Sequence, residues 1–102
     1  MASTKLDAGE VTRRLGEITG WTLDNGKLHR EYRFGDFVEA FGFMASVALI
    51  AERMNHHPEW FNVWSTVRVD LTTHDAGGIS AKDFELAAAM ERIAGAAKPG
   101  TK

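Results

Sequence analysis

Two adjacent histidines, His56 and His57, lie in the stretch MNHHPEWFNVW, where a long apolar run gives way to a proline and then to a segment opening on tryptophan. Imidazole titrates near pH 6.5, so a group of such rings can supply a proton donor and a proton acceptor together at neutral pH. A reaction that places one proton on a leaving group and takes another from a neighbouring atom suits them, and elimination of water is of that kind. Two other readings stay open from the residues alone. The rings could be solvated and merely offset a helix dipole at its C-terminus. They could also belong to a three-histidine metal site, with Glu52 the one carboxylate at usable spacing. The chain has no cysteine, and no serine is placed beside a histidine, so covalent catalysis is not indicated.

The elements around the pair decide where the rings go. Asp7 can cap a short helix over AGEVTRRLGEIT, with Val11, Leu15 and Ile18 at helical spacing and Gly20 as its stop. In WTLDNGKLHREYRF the Asn25-Gly26 pair predicts a two-residue hairpin that sets Asp24 against Lys27 and Leu23 against Leu28. Trp21, Leu23, Leu28, Tyr32 and Phe34 then share one face, with His29, Glu31 and Arg33 on the other. Asp36 opens the main helix, residues 36–55, about 30 Å long. It is apolar on two stripes, Phe37/Phe41/Met44/Ala48 and Phe43/Val47/Ile50/Met54. One stripe covers the sheet, and the other, taken as that of Phe43, is left for another subunit.

A second hairpin runs from Glu59 to Thr73 with its turn at Ser65-Thr66. That register opposes Trp64 to Val67, Asn62 to Val69 and Trp60 to Leu71, which makes Trp60 a core residue. Extended outward, it brings His57 opposite His74, whose Cβ atoms would then be about 5 Å apart. His56, His57 and His74 should therefore line one mouth, and Pro58 sharpens the turn that aims the first two. Ser80 and Asp83 resemble a capping box opening a last helix, AKDFELAAAMERIA, with Phe84, Ala87, Ala88 and Ile93 on its apolar stripe. The tail AAKPGTK reads as frayed. The expected architecture is α+β, order α-β-β-α-β-β-α, with a four-stranded antiparallel sheet carrying three helices on one face.

Length and composition bound the function. At 102 residues the chain reads as one domain over 1–102, with an ordered core of about 5–95. A formal net charge of -2 argues against a binder of nucleic-acid backbones. The start MASTKLDAGE lacks the apolar region of a signal peptide, and the longest apolar run, residues 40–51, is too short to span a bilayer. No direct nucleic-acid or membrane partner is expected, and the location expected is cytoplasmic.

The stretch EAFGFMASVALIAERMNHHPEWFNVWSTVRVDLTTHDAGGIS, followed by Asp83, resembles the pterin-4a-carbinolamine dehydratases, and the resemblance extends from FGFM to Ile93. It implies a hydro-lyase acting on a 4a-hydroxytetrahydropterin, the product of aromatic amino-acid hydroxylases, which loses water to give a quinonoid dihydropterin. No metal or cofactor is implied, because the pterin is the substrate. The family's three active-site histidines match His56, His57 and His74. On that pattern His56 protonates the departing hydroxyl, His74 assists or takes the N5 proton, and His57 positions the ring. Pro58, Thr73, Asp75 and Ala76 match ligand-contacting segments, with Glu52, Trp60 and Asp83 around them. The resemblance also implies a dimer or tetramer built through a sheet edge and through the helix at 36–55. The rival function is a non-catalytic interaction or assembly module acting through that same helix.

Overall fold

Asp7 and Asp36 begin the first two helices, as their short acceptor side chains favour. Each carboxylate accepts a backbone N–H three residues on, from Glu10 and Glu39 respectively, at 2.8 Å. Glu39 reaches back to the N–H of Gly35 at 2.7 Å, so the second start is satisfied from both sides. The computed structural model describes residues 3–97. Helix α1 spans Ala8–Leu15 and is closed by Gly16 rather than Gly20. Tighter turns carry the chain on to Ile18, which still packs against the core.

Strands β1 (Thr22–Asp24) and β2 (Lys27–Arg33) pair in the expected register, Asp24 to Lys27 and Leu23 to Leu28. Asn25 and Gly26 both take positive φ, 53° and 75°, the conformation a two-residue hairpin needs. Trp21, Leu28 and Tyr32 are buried. Leu23 is not: it stays 53% exposed, because β1 is a three-residue edge strand beyond the cover of the helices.

Helix α2 spans Phe37–Met54. Its buried stripe is Ala40, Phe43, Val47 and Ala51, so the Phe43 side faces the core and the expected assignment of the two stripes is reversed. Phe43 packs on Tyr32 with ring centroids 4.8 Å apart and on Phe34 at 5.0 Å, which is what pins that side inward. Phe37, Val38, Phe41 and Leu49 remain exposed.

Strands β3 (Glu59–Val63) and β4 (Thr66–Leu71) form the second hairpin, but its turn is Trp64-Ser65. Val63 opposes Thr66, Asn62 opposes Val67 and Trp60 opposes Val69, a slip of two residues from the expected register. Asn62 fixes the slip: its side-chain amide donates to the carbonyls of Trp64 and Thr66 at 3.2 and 2.9 Å, leaving β-branched Thr66 to start a strand. A slip of two keeps every residue on its face. Trp64 itself leaves the sheet, at φ 48° and 66% exposed.

The sheet order is β1-β2-β4-β3, with every neighbouring pair antiparallel. After β4 come a one-turn 3₁₀ helix at His74–Ala76 and helix α3 (Ala81–Ala97). Leu86 and Met90 of α3 are fully buried along with the expected Ala87, and Phe84 is buried too, while Ala88 and Ile93 are only partly buried. Residues 98–102, most of the tail read as frayed, lie outside the described residues. One cluster joins Leu28, Tyr32, Val67, Val69 and Leu71 of the sheet to Val11, Phe43, Val47, Leu86 and Met90 of the three helices. Among the described residues, no helix is long and apolar enough to cross a membrane.

Candidate active site

The end of α2 aims the histidine pair. Asn55 takes the left-handed conformation (φ 52°, ψ 43°). The N–H of His56 then bonds back to the carbonyl of Ala51 at 3.0 Å, and that of Asn55 to Glu52 at 3.1 Å. This is the Schellman closure of a helix, usually made by glycine and tolerated by asparagine. Pro58 prevents any resumption of the helix. The turn sends His56 inward, to 7% exposure, and leaves His57 outside.

The His56 ring meets Asp83, the third residue of α3 and fully buried, with Nε2 2.5 Å from Oδ1. Asp83 is itself held on its other oxygen by the Thr73 hydroxyl at 2.8 Å and the Ser80 N–H at 2.9 Å. Ser80 Oγ lies 2.7 Å from Thr73 Oγ1 and accepts the N–H of Lys82 at 3.2 Å. Every group in this buried knot thus has a partner, as the cost of leaving a buried carboxylate or hydroxyl unpaired demands. The capping residues expected of Ser80 and Asp83 are present, and Asp83 serves two purposes at once.

His57 and His74 repeat the pattern at the surface. His57 Nε2 lies 2.9 Å from Glu52 Oε1, and His74 Nε2 lies 3.4 Å from Glu59 Oε2. Glu59 is steadied by Lys27 Nζ at 2.6 Å, and that ion pair holds its carboxyl below the usual carboxylate range. In all three rings Nε2 faces a carboxylate, and Nδ1 has no protein partner among the described residues. A carboxylate can only accept when ionised, so each pairing favours the proton on Nε2 and leaves Nδ1 without a protein partner among the described residues.

All three histidines line one cavity of about 220 Å³, together with Thr72, Thr73 and Asp75. The convergence expected from sequence holds, but not through the expected opposition of His57 and His74. Continued outward, the observed β3–β4 register sets His57 opposite Thr72 and His56 opposite Thr73, and His74 arrives on the 3₁₀ turn instead. Glu52 and Asp83 stand behind the rings. Trp60 packs against the core, while Pro58 and Ala76 shape the backbone without lining the cavity. Sequence reasoning missed Glu59 and the cavity residues Ser3, Asn55, Thr72 and Lys82. The glycine-like role of Asn55, directly before the pair, was the available signal; nothing in the spacing marked Glu59. A separate convergence of ligand-type atoms, within 4.8 Å of one another, lies on the open sheet face at Asp24, His29 and Asp70, away from these rings.

Fold and site together define an α+β protein with a three-histidine cavity, each ring backed by its own carboxylate. The family model for pterin 4 alpha carbinolamine dehydratase matches residues 4–93, and the chain belongs to that family. A protein of Solibacter usitatus (strain Ellin6076) is 61% identical over 92 residues, covering 90% of this chain and 97% of its own. One from Prochlorococcus marinus (strain MIT 9303) is 52% identical over 93 residues, covering 91% and 97%. Both are named, provisionally, as pterin-4-alpha-carbinolamine dehydratases. A crystal structure from Brucella melitensis, described as a transcriptional coactivator/pterin dehydratase, superposes with a TM-score of 0.86 at 41% identity, over 89% of this chain and 99% of that one. A pterin dehydratase-like RuBisCO assembly factor of the alpha-carboxysome shares the fold at 20% identity, with a TM-score of 0.61, over 74% of this chain and 87% of its own.

Proposed function

We propose that the protein removes water from a 4a-hydroxytetrahydropterin by histidine acid/base catalysis. The observation that carries this reading is the set of three carboxylate-backed imidazoles around one small cavity. His56, protonated on both nitrogens, gives its Nδ1 proton to the 4a-hydroxyl as the C4a–O bond breaks. Asp83 holds the ring in place and stabilises the charge it carries before the transfer. The N5–H electrons form the new C4a=N5 bond, and His74 takes the N5 proton. His57 orients the pterin, with Thr73 and Asp75 around it. Water and a quinonoid dihydropterin leave, so the chain serves a hydroxylase that forms the carbinolamine. Stopped-flow absorbance of freshly generated 4a-hydroxytetrahydropterin tests this. Acceleration by the protein should fall about 10²- to 10⁴-fold in His56→Ala. An unchanged rate in both His56→Ala and His74→Ala would defeat the assignment.

One observation favours a second role beside the first. Phe37, Val38, Phe41 and Leu49 form an exposed apolar side of α2, and β3 is an open sheet edge with Phe61 and Val63 exposed. Self-association through these surfaces is the corresponding expectation, and the Brucella relative is described as a coactivator as well as a dehydratase. Phe41→Glu should lower the sedimentation mass without melting the fold. A monomer in both forms removes the argument from α2.

A further inference from the structure

The histidine cavity is small beside its neighbour. Ligand pockets ordinarily enclose about 300–1,000 Å³, and the cavity of about 220 Å³ falls short of that. A second cavity of about 810 Å³ lies between the start of α1, the β1–β2 turn and the loop before α3. The sheet ends beside both. Leu28–Leu71 is the outermost β2–β4 pair, so one step further sets Lys27 against Thr72. The β3–β4 register continued by two pairs sets His57 against the other side of Thr72. Strands lie about 4.8 Å apart, so Lys27 and His57 stand roughly 10 Å from each other across Thr72. Thr72 accordingly lines both cavities. The N-terminal segment walls both as well, Ser3 the smaller and Lys5 the larger. It is fixed there by the Leu6 N–H donating to the Ile79 carbonyl at 2.9 Å.

We infer that the larger cavity seats the C6 substituent of the pterin whose ring lies against the histidines, and that the substituent it fits carries both an apolar part and an anionic group. This rests on the dehydratase reading above. Leu6, Val11, Leu23 and Ile79 provide the apolar walls, and the exposure of Leu23 on an uncovered edge strand has its use here. The charged groups differ in availability. Lys27 is engaged by Glu59 at 2.6 Å, and Asp7 is spent on the cap of α1. Lys5 makes no side-chain hydrogen bond or ion pair among the described residues, and it stands beside the positive end of α1. A chain leaving the pterin ring past Thr72 enters a cavity that offers it these apolar walls and the side chain of Lys5, whose stem lies against Gly78.

Two 7,8-dihydropterins, which carry no 4a-hydroxyl to lose, test the inference by calorimetry. One has a methyl group at C6, the other an aryl chain ending in carboxylates. The protein should bind the aryl carboxylate at least about tenfold more tightly than the methyl compound. Leu23→Glu and Lys5→Glu should each bring that ratio towards one, and both compounds should lose affinity in His56→Ala. Equal affinities that still depend on His56 would overturn the substituent cavity and leave the dehydratase reading standing. Binding of neither compound, or binding indifferent to His56→Ala in folded protein, would overturn both.

Discussion

At the scale of the residue, Asp83 is where fold and chemistry meet. It is a helix-start acceptor, a fully buried charge and the partner of His56. Replacing it with an amide of the same shape keeps the acceptor for the Ser80 N–H. The amide no longer insists on a proton at His56 Nε2, and in a serine-protease triad that change costs about 10⁴ in rate. Asp83→Asn should therefore lower the single-turnover rate by two to four orders of magnitude while dihydropterin affinity changes only a few-fold. Equal losses in rate and affinity would make Asp83 a structural residue only. The contacts of His57 with Glu52 and of His74 with Glu59 are exposed and count for less, because water competes for them.

At the scale of the element, the site depends on how α2 stops. Asn55 occupies the left-handed region, where a β-branched side chain costs about 1–2 kcal/mol and glycine costs nothing. Asn55→Gly should keep both the urea midpoint and turnover close to those of the parent. Asn55→Val should lose about 1–2 kcal/mol in the same titration and lose activity beyond it, because His56 is no longer delivered to Asp83. If Asn55→Val remains fully active, the turn does not aim the ring. Much of this was legible beforehand. Asp7, Asp36 and Asn25-Gly26 act through their own side chains or backbone freedom, and local chemistry is what a sequence shows directly. The β3–β4 turn was not legible, because Asn62 sets it by reaching across the hairpin, and polarity alone pointed one position too late. Nor could the two stripes of α2 be told apart by composition. Phe43 faces inward because Tyr32 and Phe34, at the end of the preceding hairpin, present aromatic rings to it.

At the scale of the whole molecule, the hairpin β1–β2 is tied to α3 through Glu91. That carboxylate accepts from Trp21 Nε1 at 2.9 Å and from the Tyr32 hydroxyl. Burial first, and then the bond to Glu91, push the Tyr32 hydroxyl well above its ordinary value. The folded state thus holds the Tyr32 proton more firmly than the unfolded chain does. The stability this gives is complete below about pH 10, the unfolded value, and is lost as pH rises beyond it. Urea midpoints should fall above about pH 10, and fall less steeply in Tyr32→Phe. Parallel curves for the two proteins would show that Tyr32 ionises as freely as an exposed tyrosine.

The pairing of His56 with Asp83 also orders the site in time. Synthesis runs from the N-terminus, so a growing chain carries His56, His57 and His74 before it carries the carboxylate that anchors the first of them. Thr73 and Ser80, made earlier, grip Asp83 rather than His56. A chain cut before α3, by stalled translation or by proteolysis, keeps every imidazole and lacks the geometry. The proposed dehydration therefore requires a finished molecule, and incomplete ones should show none of it.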